Sequence, residues 1–119
     1  MTNTHHTIDY VEINVGTAMA RTRAFYEQAF GWELTDYGPD YAGIKRRDGD
    51  GEAGGLNAGR EASRGGPLVL LYSDDLDATA TAVRQAGGDV VEGPYDFPGG
   101  RRFHFTDPAG NELGVWASS

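Results

Sequence analysis

The side chains best suited to proton transfer in this chain are an imidazole and a charged neighbour near the C-terminus. His104 alternates with Phe103 and Phe105, so in a β-strand its side chain points away from both rings. If the phenylalanines face a helix, His104 and Arg102 lie on the other side of the sheet. An imidazole titrates near neutral pH and suits general acid or base catalysis. A histidine with no chemical role at a core edge fits the same pattern.

The same alternation places aromatic and polar side chains together on one face of the other predicted strands. An apolar surface with a few polar anchors is typical of a small-molecule site. Arg102 can hold a carboxylate or phosphate of a ligand, or pair with an acid of the chain. Tyr37 and Tyr41 flank an acidic turn and can form a rim or a plain loop. The ligand-binding candidates from strand parity are Tyr10, Glu12, Asn14, Val69, Leu71, Glu112 and Trp116, joined by Arg102.

The strands that carry these side chains belong to an internal repeat, in which the same order of a strand, a helix and three strands occurs twice. Gln28–Leu34 matches Gln85–Val91 in pattern, which is a shift of 57 residues. The first copy has a strand at Ile8–Val15 and a helix at Ala18–Phe30, capped by Thr17 and ended by Gly31. Apolar side chains at helical spacing, Phe25 and Phe30 among them, predict the buried stripe of that helix. Three further strands are predicted at Trp32–Tyr37, Tyr41–Arg46 and Gly55–Asn57.

The second copy follows the same order. Asp74 or Asp75 caps a helix at Leu76–Gln85, and Asp107-Pro108-Ala109-Gly110 is typical of a type I turn. Its strands are predicted at Leu68–Tyr72, Asp89–Val91, Arg102–Thr106 and Leu113–Trp116. Since each copy alone buries too little surface, we expect one domain over 1–119. Its parts are a first module at 7–58, a linker at 59–66 and a second module at 67–117.

Composition narrows the class of protein. The net charge of −8 and the short basic clusters argue against nucleic acid as a partner, and an acidic protein attracts cationic small molecules. Without cysteine there is no disulfide, thiolate metal site or cysteine nucleophile. No apolar run is long enough for a membrane span, and no secretion signal is visible. We therefore expect a cytoplasmic protein with no membrane partner.

Three stretches carry a family resemblance over residues 7–117. They are Ile8–Val15 followed by Ala24-Phe25-Tyr26 and Phe30-Gly31-Trp32, then Asp75-Leu76-Asp77 leading to Ala86-Gly87-Gly88, and finally Asp107-Pro108-Ala109-Gly110-Asn111. The chain resembles the vicinal oxygen chelate superfamily, which includes glyoxalases, bleomycin resistance proteins and extradiol dioxygenases. The resemblance implies an α+β fold of two βαβββ modules. These form a cupped, partly closed mixed β-sheet barrel around a cavity, with the helices outside. It also implies a homodimer.

The resemblance also implies where a metal ion would be bound. The metal-ligand positions of the family fall on Tyr10, Asn57, Pro67 and Gly114 of this chain. Proline and glycine offer no side-chain donor, and tyrosine and asparagine are poor ligands for Zn²⁺, Fe²⁺ or Mn²⁺. We therefore expect no metal ion at this site and no cofactor. Asn57 joins the ligand-binding candidates through this position.

Two hypotheses about function follow, and whether the chain is an enzyme stays open. The first is a metal-independent small-molecule-binding protein of the superfamily that sequesters a cationic or aromatic ligand. The alternative is a glyoxalase-like lyase, isomerase or dioxygenase-type enzyme on a small carbonyl substrate, with His104 as acid or base beside Glu12 or Glu112. Such an enzyme would act without a metal ion or with one bound at a site that the family does not use. A pure interaction module is a third hypothesis, which the expected cavity disfavours.

Overall fold

The computed structural model describes residues 3–63, 65–108 and 110–119. They form two compact units, Tyr10–Leu68 and Val69–Ser119, the second including the N-terminal residues up to Asp9. The elements in chain order are β1 (Ile8–Asn14), α1 (Met19–Phe30), β2 (Leu34–Asp36), β3 (Tyr41–Lys45), β4 (Glu52–Asn57), β5 (Leu68–Tyr72), α2 (Leu76–Gln85), β6 (Asp89–Phe97), β7 (Gly100–Thr106) and β8 (Glu112–Ala117). The strand, helix and three strands predicted twice are present in this order.

In the first unit the strands run in the order β2-β3-β4-β1. β1 is parallel to β4, and the other pairs are antiparallel. Apolar and polar side chains alternate along these strands, so the apolar ones collect on one face of the sheet. That face packs against α1. The buried residues are Val15, Ala42, Ile44 and Leu56, with Ile13, Met19, Tyr26, Trp32, Leu34 and Ala58 packed around them. The opposite face, called here the helix-free face, carries Tyr10, Glu12, Tyr41 and Asn57.

The second unit repeats this plan with the order β5-β8-β7-β6. β5 is parallel to β8, whereas β6, β7 and β8 pair antiparallel. Its core under α2 consists of Leu76, Ala80, Phe103, Val115 and Ala117, with Leu71, Val83, Val90 and Phe105 packed against it. Since Phe103 and Phe105 belong to this core, His104 lies on the helix-free face of this unit, as the alternation predicts.

The predicted orientation of β5 is wrong. Leu71 packs into the core under α2, and Val69 has the same parity. The side chains on the helix-free face are Leu70, beside Gly114, and Tyr72, beside Trp116. The register explains the error, because Ile13 pairs with Leu56 as Leu71 pairs with Val115. The shift between the two copies is therefore 58 residues at β5 and not the predicted 57. A difference of one residue turns every side chain of a strand to the opposite face.

The two helices also differ from the prediction. The Asp75 side chain accepts a hydrogen bond from the Ala78 amide, which confirms the predicted cap of α2. α1 begins after Ala18 with no side-chain cap, so the predicted role of Thr17 is wrong. Phe25 and Phe30 are 54% and 55% exposed, although the helical spacing predicted them to be buried. Only the Met19 and Tyr26 side of α1 packs on the core.

Two further predictions concern β6 and the turn before β8. β6 extends to Phe97, six residues beyond its predicted end, because irregular pairing near Glu92 interrupts the alternation without ending the strand. The turn includes Ala109, which lies outside the described residues; its ends are joined by a hydrogen bond from the Gly110 amide to the Asp107 carbonyl. Among the described residues, no helix has the length and apolar character needed to cross a membrane.

Candidate functional site

A buried carboxylate organises the helix-free face of the first unit. Glu12 is only 1% exposed. It accepts hydrogen bonds from the Tyr41 hydroxyl at 3.0 Å and from the Asn57 amide at 3.1 Å. The Tyr41 hydroxyl also lies 2.7 Å from the hydroxyl of Tyr10. The Tyr41 ring crosses Gly55 on the neighbouring strand, where any side chain would collide with it.

This environment fixes the protonation of the two phenols. Burial is the largest cause that raises the pKa of Tyr10, and its hydrogen bond with Tyr41 partly offsets this. Burial likewise raises the pKa of Tyr41, and the charge of Glu12 raises it further. Both phenols therefore stay protonated at neutral pH and serve as hydrogen-bond groups rather than as phenolate ligands.

Two polar groups adjoin this network. Tyr37 donates a hydrogen bond to Glu52 at 2.5 Å. This bond also raises the pKa of the Tyr37 hydroxyl, most strongly among its causes. The Asn14 Oδ1 atom is buried and has no hydrogen-bond partner among the described residues. A buried acceptor without a partner is costly, so a donor from a ligand or water would stabilise it.

In the second unit the corresponding face is organised around His104, which is fully buried. Its Nδ1 atom lies 2.9 Å from Glu112 Oε2 and 3.8 Å from Glu92 Oε1. Its Nε2 atom lies 3.1 Å from the Tyr95 hydroxyl, 3.1 Å from Arg102 Nη2 and 3.3 Å from Arg102 Nε. A guanidinium can only donate, so Nε2 is an acceptor and we assign the ring proton to Nδ1, which donates to Glu112.

A β-bulge brings Glu92 to this cluster. Val90 pairs with Phe105 and Glu92 pairs with His104, so two steps along β6 match one step along β7. Val90 therefore faces the core while Glu92, with the same parity, faces the other side. Glu92 and Glu112 are 42% and 49% exposed at the side chain, so the cluster is open to solvent at its acidic side.

Aromatic side chains surround the rest of this face. Trp116 lies edge-on to Tyr72 and Phe97, with ring centroids 5.0 and 6.2 Å apart, and donates to Asp9 at 2.9 Å. The Arg102 guanidinium lies 5.7 Å from the centroid of the Phe97 ring. These rings offer flat apolar surface of the kind on which aromatic ligands stack.

The fold and the two sites define a class: an α+β protein built from two βαβββ units with polar clusters on the faces opposite the helices. Residues 7–115 match the model of the Glyoxalase/Bleomycin resistance protein/Dioxygenase superfamily. The chain belongs to this superfamily, which confirms the predicted resemblance and fold class. The match covers almost the entire described part of both units.

Individual relatives are more distant. The chain is similar to the anthracycline biosynthesis protein DnrV of Streptomyces peucetius, with 45% identity over 49 residues, which is 40% of this chain and 18% of that protein. Among solved structures it is similar to the Mn(II)-bound glyoxalase of Novosphingobium aromaticivorans, with a TM-score of 0.68, 24% identity and coverage of 99% of this chain and 40% of that one. It is also similar to a methylmalonyl-CoA epimerase variant of Streptomyces coelicolor, with a TM-score of 0.70, 20% identity and coverage of 98% and 96%.

The residues at the family's metal positions do not fit a metal ion. Gly114 has no donor, and the space of a side chain there is taken by Leu70. The register of β5 moves the next position from Pro67 to Leu68, and neither side chain offers a donor. Both amide atoms of Asn57 are engaged, one with Glu12 and one with the Gly59 amide. Tyr10 remains a protonated phenol, which is a poor ligand.

The structure thus groups most of the predicted site residues by unit. Tyr10, Glu12 and Asn57 share one network, and Asn14 lies on the same face of β1. Arg102, His104, Glu112 and Trp116 share the helix-free face of the second unit, whereas Val69 and Leu71 do not. The residues that sequence reasoning missed are Glu92, Tyr95, Leu70 and the central role of Tyr41. The alternation along β6 does not predict that Glu92 lies on the helix-free face, because the bulge turns its side chain to that face.

A cavity of about 610 Å³ lies elsewhere, beside the C-terminal end of α1. Trp32, Ile44, Arg46 and Arg47 are among its lining residues, and none of the predicted site residues is. Arg47 is engaged there with the carbonyls of Phe30 and Gly31, at 2.9 and 2.7 Å, so it caps the helix end. This role is structural.

Proposed function

We propose that the chain is a small-molecule-binding protein that recognises an aromatic, cationic ligand without the metal centre of its superfamily. The observation that carries this proposal is that the potentially reactive side chains of both faces are hydrogen-bonded to one another. The acceptor nitrogen of His104 is occupied by Arg102, and the phenols and amide near Glu12 are hydrogen-bonded together. Such groups shape and polarise a surface, whereas a general base needs a free lone pair.

The chemistry of the ligand follows from charge and rings. The chain has a net charge of −8, and both helix-free faces carry carboxylates beside aromatic rings. A cation over an aromatic face is attracted by the ring quadrupole, and the overall negative charge raises its local concentration. The buried, unpartnered Asn14 Oδ1 supplies one further acceptor for a ligand donor.

The relative of Streptomyces peucetius narrows the choice of probe. Its name assigns it to the biosynthesis of anthracyclines, which are fused aromatic compounds that often carry an amino sugar. We therefore use the anthracycline daunorubicin as the probe, and its aglycone, which lacks the cationic sugar, as the matched comparison. Homodimer formation and a cytoplasmic location remain predictions beside this proposal.

The test is a fluorescence titration of both compounds with the wild-type chain and three variants. We expect Trp116→Leu to weaken both compounds about tenfold, because stacking surface is lost. Glu112→Gln weakens only daunorubicin, because only that compound is cationic. Phe30→Leu, on the exposed side of α1, is the control and leaves both affinities unchanged. Equal binding by all variants, or no binding of either compound, would contradict the proposal.

A second candidate function is an acid–base enzyme on a carbonyl substrate. The observation that favours it is the carboxylate–imidazole pair of Glu112 and His104 at 2.9 Å, which holds the ring in one tautomer. A substrate would first have to displace Arg102 from Nε2. This function predicts that the conservative variant His104→Gln abolishes turnover of a small 2-oxo or thioester substrate. Unchanged conversion by that variant would exclude the role of His104.

A further inference from the structure

The helix-free face of the second unit holds three donor groups whose arrangement goes beyond the proposed ligand site. Glu92, His104 and Glu112 come from the adjacent strands β6, β7 and β8. One ligand atom from each lies within 4.8 Å of the other two. None of the three occupies a position that the family resemblance assigns to a metal ligand. From this geometry we propose that they form a separate site for a divalent transition-metal ion, preferentially Zn²⁺.

The distances suit such an ion. The Nδ1 atom of His104 lies 2.9 Å from one Glu112 oxygen and 3.8 Å from one Glu92 oxygen. Bonds of about 2.0–2.2 Å to nitrogen and oxygen place neighbouring ligands of a tetrahedral zinc ion roughly 3.3–3.6 Å apart. The two carboxylates therefore need to move only slightly. Three protein ligands and one water would complete a tetrahedral shell, and the two carboxylates neutralise the charge of the ion.

The site combines a rigidly held imidazole with carboxylates that a metal ion can reach from solvent. The imidazole is fully buried and fixed by its neighbours, whereas the two carboxylates are partly exposed, at 42% and 49%. A metal ion can thus enter from the acidic side and meet a nitrogen that is already oriented. Imidazole favours Zn²⁺ over Mg²⁺ or Ca²⁺, which prefer sites made only of oxygen.

Metal binding at this site has a defined consequence for the proton on the ring. In the metal-free chain the proton is on Nδ1. A neutral imidazole that binds a metal through Nδ1 carries its proton on Nε2, and the Tyr95 hydroxyl at 3.1 Å can accept it. Arg102 then leaves Nε2, and the rings of Tyr95 and Phe97, 5.8 and 5.7 Å from its Cζ atom, provide alternative contacts. One proton moves between the two nitrogens and none is lost.

A competing site must be removed before the test. His5 and His6 are stacked with ring centroids 3.7 Å apart, and His5 lies 3.6 Å from Asp74. These side chains near the N-terminus can also bind zinc. The background for the experiment is therefore the full chain with His5→Ala and His6→Ala, in which His104 is the one remaining histidine.

In this background we measure Zn²⁺ affinity by competition with a chromophoric chelator. We expect one ion per chain, and weakening by about tenfold or more in Glu92→Gln and in Glu112→Gln. Glu33→Gln, which removes an exposed carboxylate of the other unit, is the control and leaves the affinity unchanged. The absence of stoichiometric binding, or an affinity in either site variant equal to that of the background chain, would overturn the proposal.

Nitrogen NMR of the single labelled histidine gives a second readout. The metal-free chain should show a protonated Nδ1 and an unprotonated Nε2, and Zn²⁺ should reverse this. Binding without reversal would place the ion elsewhere and overturn the site. The proposed function fails separately, since it requires daunorubicin binding in the presence of a chelator, whereas the cation site requires zinc binding in the absence of any organic ligand.

Discussion

At the scale of single residues, the two nitrogens of His104 have different partners, and this asymmetry determines what the ring can do. Nδ1 donates to Glu112, and Nε2 accepts from Arg102. The side to which the ring points was predictable from the alternation with Phe103 and Phe105. Its saturation by Arg102, Tyr95 and Glu112 was not, because those partners depend on the register of three strands.

The first prediction concerns this cluster. His104→Ala should lower the free energy of unfolding by about 2–4 kcal/mol, because it leaves a cavity and removes one acceptor of a buried guanidinium. Urea denaturation measures the loss. Arg101→Ala is the control on the same strand, where the partly exposed side chain pairs with Asp77 and Asp96 at 3.4 and 3.9 Å. It should cost about 1 kcal/mol or less. Equal losses would contradict the assignment of His104.

The second prediction concerns the phenols of the first unit. The pKa values of Tyr10 and Tyr41 are raised in the folded state, so the fold binds their protons more tightly than the unfolded chain. Their contribution to stability is complete below the ordinary tyrosine pKa of about 10 and is lost as pH rises above it. Phenolate absorbance should therefore show Tyr10 and Tyr41 ionising only with unfolding.

Two tyrosine variants test whether the late ionisation belongs to the network around Glu12. In Tyr41→Phe the number of late-ionising tyrosines should fall, and the loss of stability above pH 10 should become less steep. Tyr26→Phe, at a site in the core beside Trp32, keeps both phenols of the network and should leave the late titration as it is. Normal titration of all tyrosines in the wild-type chain would contradict the network around Glu12.

At the scale of elements, the strand–helix–strand order was predictable, since apolar periodicity and glycine positions depend on local sequence. The faces of β1 and β7 were predictable for the same reason. The orientation of β5 was not, because a constant repeat of 57 residues hides a one-residue change in register. The turn of Glu92 toward His104 also depends on a bulge, which has no periodic signal.

The third prediction tests the local origin of α2. Asp75→Ala should lower the free energy of unfolding by about 1 kcal/mol, because the Ala78 amide loses its capping acceptor. Asp75→Asn keeps an acceptor and should restore most of that loss. Asp74→Ala removes the neighbouring exposed carboxylate, which does not cap the helix, and serves as the control in thermal denaturation. A larger effect at Asp74 than at Asp75 would contradict the cap.

At the scale of the whole molecule, superfamily membership was predictable from three short motifs, and the family model over residues 7–115 confirms it. Function was less accessible, since related folds support different chemistries. The resemblance places Tyr10, Asn57, Pro67 and Gly114 at the family's metal positions, and the expected absence of a metal ion there stays a prediction. How Tyr10 and Asn57 are used instead depends on contacts with Tyr41 and Glu12 from distant parts of the first unit.

The measurement that tests the central claim most directly is a calorimetric titration of the chain with daunorubicin, without and with EDTA, followed by mass spectrometry of the recovered compound. We predict saturable binding with the same affinity before and after addition of EDTA, and recovery of the compound unchanged. Binding that EDTA abolishes, or chemical conversion of the compound, would contradict a binding function that is independent of metal.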